Sequence, residues 1–331
     1  MRTIEFKNNV SIKETAAVAG VKEGRGPLKN CFDLVLEDDY YGEKSWEKAE
    51  SKIQHEAIKR AIEKASLKEH DIDFAFAGDL LNQCVSSHYA MRGFDIPFLG
   101  VYGACSTMVE SMILGAVTIS GRFAQNVVCA TSSHFCSAEK QFRFPLDYGG
   151  QRPPSAQWTV TGGGCAVLTK EKGKISVKYA TPGKIVDMGI TDLNNMGTAM
   201  APAAADTIST HLKNRNVSPE YYDKIYTGDL GMIGSDILCD VLNKDGIDIY
   251  KQHEDCGKLI YDLEKDDVHA GASGCGCCAS VFCGHIFDEL KKGSLKRILL
   301  VATGALMNAT IVQQGESIPV IAHALEISAE N

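Results

Sequence analysis

The sequence contains no apolar run long enough to cross a membrane, and it has no block of lysine and arginine. No window reaches the roughly 18 uncharged apolar residues of a spanning helix, and the N-terminal stretch "MRTIEFKNNVSIKETAAV" lacks the apolar core of a signal peptide. The formal net charge is −8, so neither a nucleic acid nor an acidic lipid surface is expected as a direct partner. We therefore expect a soluble protein without a visible secretion signal.

The chain has 12 cysteines but no arrangement typical of a structural zinc site. Cys275, Cys277, Cys278 and Cys283 are grouped, yet their spacing matches neither of the usual zinc patterns built from two Cys-x-x-Cys pairs. Disulfides are typical of small secreted domains, whereas these cysteines are scattered through a long chain without a signal sequence. We predict reduced thiols, a tightly packed helix over the grouped cysteines, no metal site and no cofactor.

A low-complexity linker is also missing, and three segments of the first half are instead repeated in the second half. The 331 residues, 44% of them hydrophobic, suffice for a large core divided between two domains or two fused halves. Three repeats in the same order are difficult to attribute to chance. The pairs are "DIDFAFAGDL" (71–80) with "YYDKIYTGDL" (221–230), "GACSTMVESMILGAVTISG" (103–121) with "GASGCGCCASVFCGHIFDEL" (271–290), and "NVVCATSSH" (126–134) with "RILLVATGAL" (297–306).

Helices are predicted before the first strand of each repeat. From Ser45, a residue type favoured at N-caps, apolar residues recur at three- and four-residue steps up to Ile62. The stretch 203–212 precedes the matching strand of the second half in the same way. Strands that alternate with helices are typical of an α/β chain with largely parallel sheets. We predict two similar βαβαβ halves, residues 1–172 and 173–331.

The stretch "VYGACSTMVESMILGA" places Cys105 at the start of a helix predicted over 107–121. Apolar residues on most faces of this helix indicate a central, buried position. Unpaired backbone N–H groups and the positive end of the helix dipole stabilise a thiolate there, which predicts a nucleophile. A buried cysteine without a chemical role is the alternative, because free cysteine is among the most buried residue types.

The glycine run at Gly162, Gly163 and Gly164 is similar in composition to part of a phosphate-binding loop. The Lys-Ser/Thr pair that completes such a loop does not follow it, and a strand is predicted directly after the run. We predict a tight turn at these glycines.

A duplicated unit with a cysteine that opens the buried helix of its first half resembles the thiolase superfamily, in particular the ketoacyl synthase III branch. The strings "YGACSTMVES" and "DVHAGASGCGC", with the segment 130–168, more specifically resemble the stage V sporulation protein AD family of endospore-forming bacteria. The resemblance spans nearly the whole chain. It implies five layers, α-β-α-β-α, with two central helices between two sheets, and a homodimer formed through the first half.

The resemblance leaves several functions open. Synthases of the superfamily make carbon–carbon bonds with a cysteine nucleophile and two hydrogen-bonding partners; Cys105 matches the nucleophile and His269 one partner. The second partner is missing, because Asp229 stands in the matching segment, and Gly304 lies where thiolases carry a further cysteine. The sporulation family implies non-catalytic binding of dipicolinic acid (pyridine-2,6-dicarboxylate) for its uptake into the developing spore. An acyltransferase that uses Cys105 and His269 is the alternative, and a scaffold with a vestigial pocket is a third.

A binder of this planar dicarboxylate needs N–H donors from helix starts and polar or cationic side chains. A solvated surface or a dimer contact is the alternative for Arg143. The ligand, with or without calcium, and membrane proteins of the dipicolinate-uptake complex are the expected partners, which implies a cytoplasmic protein or one peripheral at the forespore or spore inner membrane. The expected ligand-binding residues are Cys105, Thr131, Ser132, His134, Arg143, His269 and Gly304.

The segment 126–170 is expected at the interface of the homodimer. Its run of aromatic residues has a composition typical of buried contacts between proteins. These residues are Phe135, Phe142, Phe144, Tyr148 and Trp158.

Overall fold

The structure is a computed structural model that describes residues 2–143 and 146–330. The strands in these ranges are β1 (Ile4–Glu5), β2 (Ser11–Ala19), β3 (Leu34–Val35), β4 (Phe74–Gly78), β5 (Phe98–Gly100), β6 (Asn126–Ser133), β7 (Trp158–Thr159), β8 (Gly162–Thr169), β9 (Ile175–Thr181), β10 (Lys224–Thr227), β11 (His253–Asp255), β12 (Ala272–Ser273), β13 (Arg297–Ala305) and β14 (Val320–Ala329). The α-helices are α1 (Trp46–Lys64), α2 (Val85–Met91), α3 (Thr107–Ser120), α4 (Phe135–Glu139), α5 (Met196–Arg215), α6 (Gly231–Lys244), α7 (Cys256–Leu259), α8 (Cys275–Val281), α9 (Phe287–Lys292) and α10 (Ala309–Gln313).

The main strands of the two halves follow one topology. The first half has the order β2-β8-β6-β4-β5, and the second half has the order β9-β14-β13-β10-β11. When the five strands of each half are numbered in chain order, both sheets have the order 1-5-4-2-3. The fifth strand is antiparallel to both of its neighbours, and the other neighbouring strands are parallel. A single bridge between Ser11 and Ser176 joins the sheets. This repetition confirms the duplicated halves predicted from the sequence.

Helices cover both sheets and fill the space between them, which gives the five layers α-β-α-β-α. Helix α1 packs on the outer face of the first sheet, and α5 packs on the outer face of the second sheet, with α6 beside it. Helices α3 and α8 lie between the sheets, in a hydrophobic core that includes side chains of β6, β8, β13 and β14. The fold is therefore α/β, with the five layers that the sequence resemblance implies.

The helices that position the site begin where the sequence predicts. Ser45 is the N-cap of α1, and its Oγ accepts a hydrogen bond from the backbone N–H of Lys48 at 3.4 Å. Ile53, Ala57 and Ala61 recur at four-residue steps and are fully buried against the sheet. Helix α3 is buried along most of its length, as expected for a helix with apolar residues on most faces.

The glycine run does not form the predicted tight turn, and that prediction was wrong. Gly162, Gly163 and Gly164 are the first residues of β8, which pairs with β2 and β6. Helix α8 crosses this strand so closely that a Cβ on Gly164 would lie 2.6 Å from the carbonyl oxygen of Ala279. Gly164 is therefore required by helix–strand packing and not by a turn.

The grouped cysteines lie in a buried helical segment, as predicted. Cys275, Cys277 and Cys278 belong to α8, and Cys283 lies in the π-helical turn that continues it. In the described part of the chain, no cluster of three or more His, Cys, Asp or Glu side chains is placed to hold a metal ion. No helix in the described residues is long and apolar enough to span a bilayer.

Candidate functional site

Cys105 lies in a constrained turn directly before α3. Ala104 has a φ of 51°, which is uncommon for a residue with a side chain. The hydroxyl of Thr107 accepts a hydrogen bond from the N–H of Gly103 at 3.1 Å and donates to the carbonyl of Ala104 at 2.6 Å. Ser106 Oγ donates to the carbonyl of Gly103 at 2.6 Å. These bonds fix the backbone that carries the cysteine.

The thiol of Cys105 faces a hydroxyl from the other half of the chain. Its Sγ lies 3.9 Å from Oγ of Ser273, and the residue is only 6% exposed. Burial raises the pKa of Cys105 well above its usual value, and the nearby negative charge of Asp229 raises it further. The thiolate stabilisation predicted from the helix start is therefore outweighed, and Cys105 is a neutral thiol near pH 7.

Asp229 is the acidic residue at the centre of this site and is fully buried. Its Oδ2 accepts hydrogen bonds from Ser273 Oγ and from the N–H of Gly274, both at 3.0 Å. Its Oδ1 accepts a hydrogen bond from Thr303 Oγ1 at 2.6 Å. Burial raises the pKa of Asp229, while the donated hydrogen bonds act in the opposite direction. Both oxygens thus accept hydrogen bonds from the protein, and the carboxylate is also a hydrogen-bond partner of the Cys105 thiol.

Asp255 and Gln157 hold the loop that carries Asp229. Asp255 accepts hydrogen bonds from the backbone N–H groups of Leu230 and Gly231 at 2.8 and 2.9 Å. The amide of Gln157 donates to the carbonyls of Asp229 and Ala272, both at 2.7 Å. The loop is therefore fixed from two directions.

A narrow cavity of about 40 Å³ opens in front of Cys105. In this conformation the cavity holds a few water molecules at most, so a ligand of the size of a pyridine dicarboxylate fits only after the lining side chains move apart. None of the described residues that line it is charged, so hydrogen bonds to a ligand come from hydroxyl, amide and backbone groups. The lining residues are Leu80, Asn82, Tyr102, Ala104, Cys105, Ala138, Gln141, Phe142, Thr159, Met196, Ser273, Ala305, Met307 and Asn308.

The structure does not bring His269 to Cys105. The imidazole Nε2 of His269 lies 3.3 Å from a carboxylate oxygen of the exposed Asp267, and His269 is not among the described residues that line the cavity. Ser273 occupies the place beside the thiol that was expected for the histidine. Gly304 lies next to the turn, because a Cβ there would be 2.2 Å from the carbonyl oxygen of Gly103.

The predicted polar residues on and after β6 are buried beneath the site and do not line the cavity. Thr131 and Ser132 are fully buried, and Ser132 Oγ donates to Glu50 at 3.3 Å. His134 caps α4 by accepting a hydrogen bond from the N–H of Cys136 at 3.2 Å, and its Nε2 lies 2.8 Å from the carbonyl oxygen of Asp39. Burial lowers the pKa of His134, so its imidazole is neutral.

Arg143 points to a different cavity from the one at Cys105. Helix α4 and the turn after it contribute to both cavities: Ala138 and Phe142 line the cavity at Cys105, whereas Glu139 and Arg143 line the other. Arg143 Nε donates to Glu139 at 2.7 Å. Arg143 is therefore separated from the thiol by α4.

The sequence analysis missed Ser273 and Thr303, although the internal repeats contain the signal for both. In the paired segments that begin at Gly103 and Gly271, Ser273 is the counterpart of Cys105. In the paired β-rich segments, the Ala-Thr of β13 that contains Thr303 matches the Ala-Thr of β6. The repeats could have identified both residues, but not their contacts with Asp229.

Comparisons of the sequence with known proteins show the family of this chain. The profile of the family "Stage V sporulation protein AD (SpoVAD)" matches residues 1–328. Stage V sporulation protein AD of Bacillus subtilis (strain 168) is 46% identical over 324 residues, which is 98% of this chain and 96% of that protein.

Solved structures of enzymes share the fold at low sequence identity. The 3-oxoacyl-[acyl-carrier-protein] synthase III of Aquifex aeolicus VF5 has a TM-score of 0.56 at 13% identity, with 96% of this chain and 99% of that chain covered. Human mitochondrial 3-ketoacyl-CoA thiolase, solved in complex with CoA, has a TM-score of 0.61 at 11% identity, with 99% and 100% covered. The fold is thus shared with thiolases and synthases, and by sequence the chain belongs to the stage V sporulation protein AD family.

Proposed function

We propose that this sporulation protein is a non-catalytic binding protein for dipicolinic acid, which acts in uptake of that acid into the developing spore. One observation carries the proposal: Ser273 and Asp229 lie beside the neutral thiol of Cys105, where a condensing enzyme carries histidine or asparagine. Asp229 would repel a developing enolate, and loss of one oxyanion donor typically costs about 10²–10³-fold in rate. The dipicolinate ligand itself is inferred from the family resemblance.

The charge of the cavity favours the calcium complex of the ligand over the free dianion. No lysine or arginine is among the described lining residues, and Asp229 lies behind Ser273. A free dicarboxylate would meet this charge without a cation to balance it. A one-to-one complex with calcium is neutral, and its outer oxygens can accept hydrogen bonds from Tyr102 and Asn82.

Calorimetric titration of the intact protein tests this function. Dipicolinate with equimolar calcium should bind, and pyridine-3,5-dicarboxylate with calcium should not, because its carboxylates and ring nitrogen cannot chelate one ion together. Cys105→Trp should weaken this calcium-dependent binding at least tenfold by filling the narrow cavity, whereas Cys105→Ala should have a modest effect. Far-UV circular dichroism checks that both variants fold. Undiminished binding in the Trp variant would contradict the assignment of the cavity, and absence of binding to the unaltered protein would contradict the function.

An acyltransferase is the second candidate function. Cys105 is retained at the nucleophile position, and the human thiolase of the same fold was solved with CoA. Incubation with acetyl-CoA followed by mass spectrometry separates the two functions. We expect no acyl adduct on Cys105; a stable adduct that is absent in Cys105→Ala would favour the enzyme.

We further propose that contact with the spore inner membrane is made through membrane proteins of the uptake complex. The formal net charge of −8 disfavours direct attraction to anionic lipids. Flotation with vesicles of phosphatidylglycerol and cardiolipin should leave the protein unbound. Binding to protein-free vesicles would contradict this proposal.

A further inference from the structure

A second cavity, of about 610 Å³, lies on the side of α4 that faces away from Cys105. We call it the arginine pocket and define it by Trp46, Phe135, Glu139, Arg143 and Arg152, which are among its lining residues. Its volume falls within the range of about 300–1,000 Å³ that is usual for small-molecule sites. It combines two guanidinium groups with aromatic side chains.

Both guanidinium groups are largely buried and only partly satisfied. The side chains of Arg143 and Arg152 are 16% and 13% exposed. Arg143 donates to Glu139 at 2.7 Å and to Asn194 at 2.5 Å, but its Nη2 has no acceptor in the described part of the chain. Arg152 donates through Nη2 to the carbonyl of Gln157, while its Nε and Nη1 have no acceptor there.

Three buried guanidinium nitrogens without acceptors among the described residues indicate a site for an anion. A buried donor that lacks an acceptor costs free energy, and the cost is larger for a charged group. Among the described residues, Glu139 is the carboxylate that pairs with both guanidinium groups, and Asp267 adds a more distant negative charge near Arg152. A planar carboxylate matches the two-pronged donor geometry of arginine.

The aromatic side chains orient one arginine and offer a flat apolar wall. Phe135 and Trp158 are stacked with their ring centroids 3.9 Å apart. The guanidinium carbon of Arg152 lies 4.8 Å from the centroid of Trp158 and 5.9 Å from that of Phe135. Trp46 lines the same cavity. A ring placed against Phe135 or Trp46 would bury apolar surface beside the two cations.

We propose that the arginine pocket is a binding site for a small aromatic carboxylate, separate from the cavity at Cys105. The carboxylate accepts hydrogen bonds from Arg143 and Arg152, and the aromatic ring packs against Phe135 and Trp46. The site prefers a free carboxylate, because calcium would compete with the arginines for the same oxygens. Titration with benzoate tests the arginine pocket whether or not the proposed function holds. Only the use of dipicolinate as a probe rests on the proposed function.

Titration with benzoate in the presence of a chelator tests the pocket on the intact protein. Benzoate should bind at least tenfold more tightly than benzamide, a neutral molecule of similar shape. Arg152→Gln and Arg143→Gln should each weaken benzoate binding at least tenfold. Lys140→Gln is the matched control: it removes one positive charge near α4, but Lys140 pairs with Glu47 and does not line the pocket. Its affinity for benzoate should stay within twofold of the unaltered protein.

Intrinsic fluorescence provides a readout that needs no variant. The chain has two tryptophans: Trp46 lines the pocket, and Trp158 contacts Arg152. Benzoate should change tryptophan emission with the same affinity that calorimetry gives, and benzamide should not. Thermal unfolding checks that the arginine variants fold. No benzoate binding to the unaltered protein, or binding that both arginine variants leave intact, would overturn the proposal.

Titrations of the variants with dipicolinate, with and without calcium, distinguish a failure of this inference from a failure of the proposed function. Calcium-dependent binding that is lost in Cys105→Trp and kept in Arg152→Gln supports the proposed function. Calcium-free binding that is lost in Arg152→Gln and kept in Cys105→Trp supports the arginine pocket. If calcium-free dipicolinate binding is lost only in Cys105→Trp, the arginine pocket is not its site.

Discussion

At the scale of single residues, the chemistry of Cys105 is set by its surroundings more than by its position at a helix start. The helix dipole favours a thiolate by a modest amount, whereas burial and the charge of Asp229 favour the thiol. The sequence identifies the cysteine and the helix. It does not show that a buried carboxylate from the other half lies beside them, because that contact depends on how the halves pack.

Asp229→Asn should make Cys105 more reactive. The substitution removes the negative charge that raises the pKa of Cys105, so a larger fraction of the thiol ionises at pH 8. We expect iodoacetamide to alkylate Cys105 about threefold to tenfold faster in this variant. Mass spectrometry of the peptide that contains Cys105 measures the rate. Cys136, which is less buried than Cys105, serves as an internal reference. An unchanged ratio of the two rates would contradict the role of Asp229.

Glu23 is a second buried carboxyl group, and it links stability to pH. Its Oε1 accepts hydrogen bonds from the hydroxyl of Tyr261 and from the N–H of Thr161, while Oε2 has no partner in the described residues. Burial raises the pKa of Glu23 to about 7. The folded state therefore keeps this proton up to about pH 7, whereas the unfolded state loses it near pH 4.5. Stability falls as pH rises between these values and levels off above them.

Glu23→Gln should remove much of this loss of stability. The amide oxygen of glutamine can accept both hydrogen bonds, and no charge forms at high pH. From the shift in pKa, we expect the variant to gain about 2–4 kcal/mol relative to the unaltered protein between pH 4.5 and 8. Urea unfolding at the two pH values measures the difference. Burial also raises the pKa of Asp255 to about 7, so the variant keeps part of the dependence of stability on pH. Parallel pH profiles for the two proteins would contradict the prediction.

At the scale of elements, the sequence predicts regular helices and strands well and predicts close contacts poorly. The helix of Cys105 was predicted over 107–121 and spans Thr107–Ser120, because its apolar pattern is a local property. The glycines of β8 were predicted to form a turn, but they form part of a strand. The backbone of α8 crosses β8 at Gly164, and this requirement for glycine is not a local property of the sequence. His269 was placed in the site by motif spacing, yet the backbone carries Ser273 to Cys105 instead.

Gly164→Ala should destabilise the protein through the contact between β8 and α8. The new Cβ would lie 2.6 Å from the carbonyl oxygen of Ala279 and 3.0 Å from Sγ of Cys283. Backbone atoms cannot move aside cheaply, so we expect a loss of about 1–3 kcal/mol in the free energy of unfolding. Gly150→Ala is the matched control, because its nearest neighbour atom is 3.8 Å from the added Cβ. Equal midpoints of urea unfolding for the two variants would contradict this packing argument.

At the scale of the whole molecule, the internal repetition accounts for where the site forms. The two halves share one strand order, and the counterparts Cys105 and Ser273 meet between them at 3.9 Å. Each half therefore contributes one side of the site. The duplication was predictable from sequence because it recurs in short strings. The relative placement of Arg143 and Arg152 was not, since it depends on a loop without regular periodicity.

The homodimer and its expected contact through segment 126–170 remain predictions, and the structure shows a second candidate surface in the same half. Phe135 and Trp158 stack on one another, which leaves Tyr148 as the strongly exposed aromatic residue of that run among the described residues; Phe144 lies outside them. Strand β5 instead forms the edge of the first sheet, and Leu99 on it is 48% exposed. An unpaired edge strand with exposed apolar side chains is a ready surface for strand pairing.

We therefore predict that two copies pair through the β5 edges of their first halves. Leu99→Glu places a charge at this edge, where pairing of two copies would bring the introduced charges close together, so the dimer should dissociate at least tenfold more readily. Ile185→Glu is the matched control, because Ile185 is 63% exposed and belongs to the second half. Size-exclusion chromatography with light scattering at micromolar concentration should give a dimer for the unaltered protein and for the control, and a monomer for Leu99→Glu. A monomer for the unaltered protein would contradict the dimer, and a dimer for Leu99→Glu would place the interface away from β5.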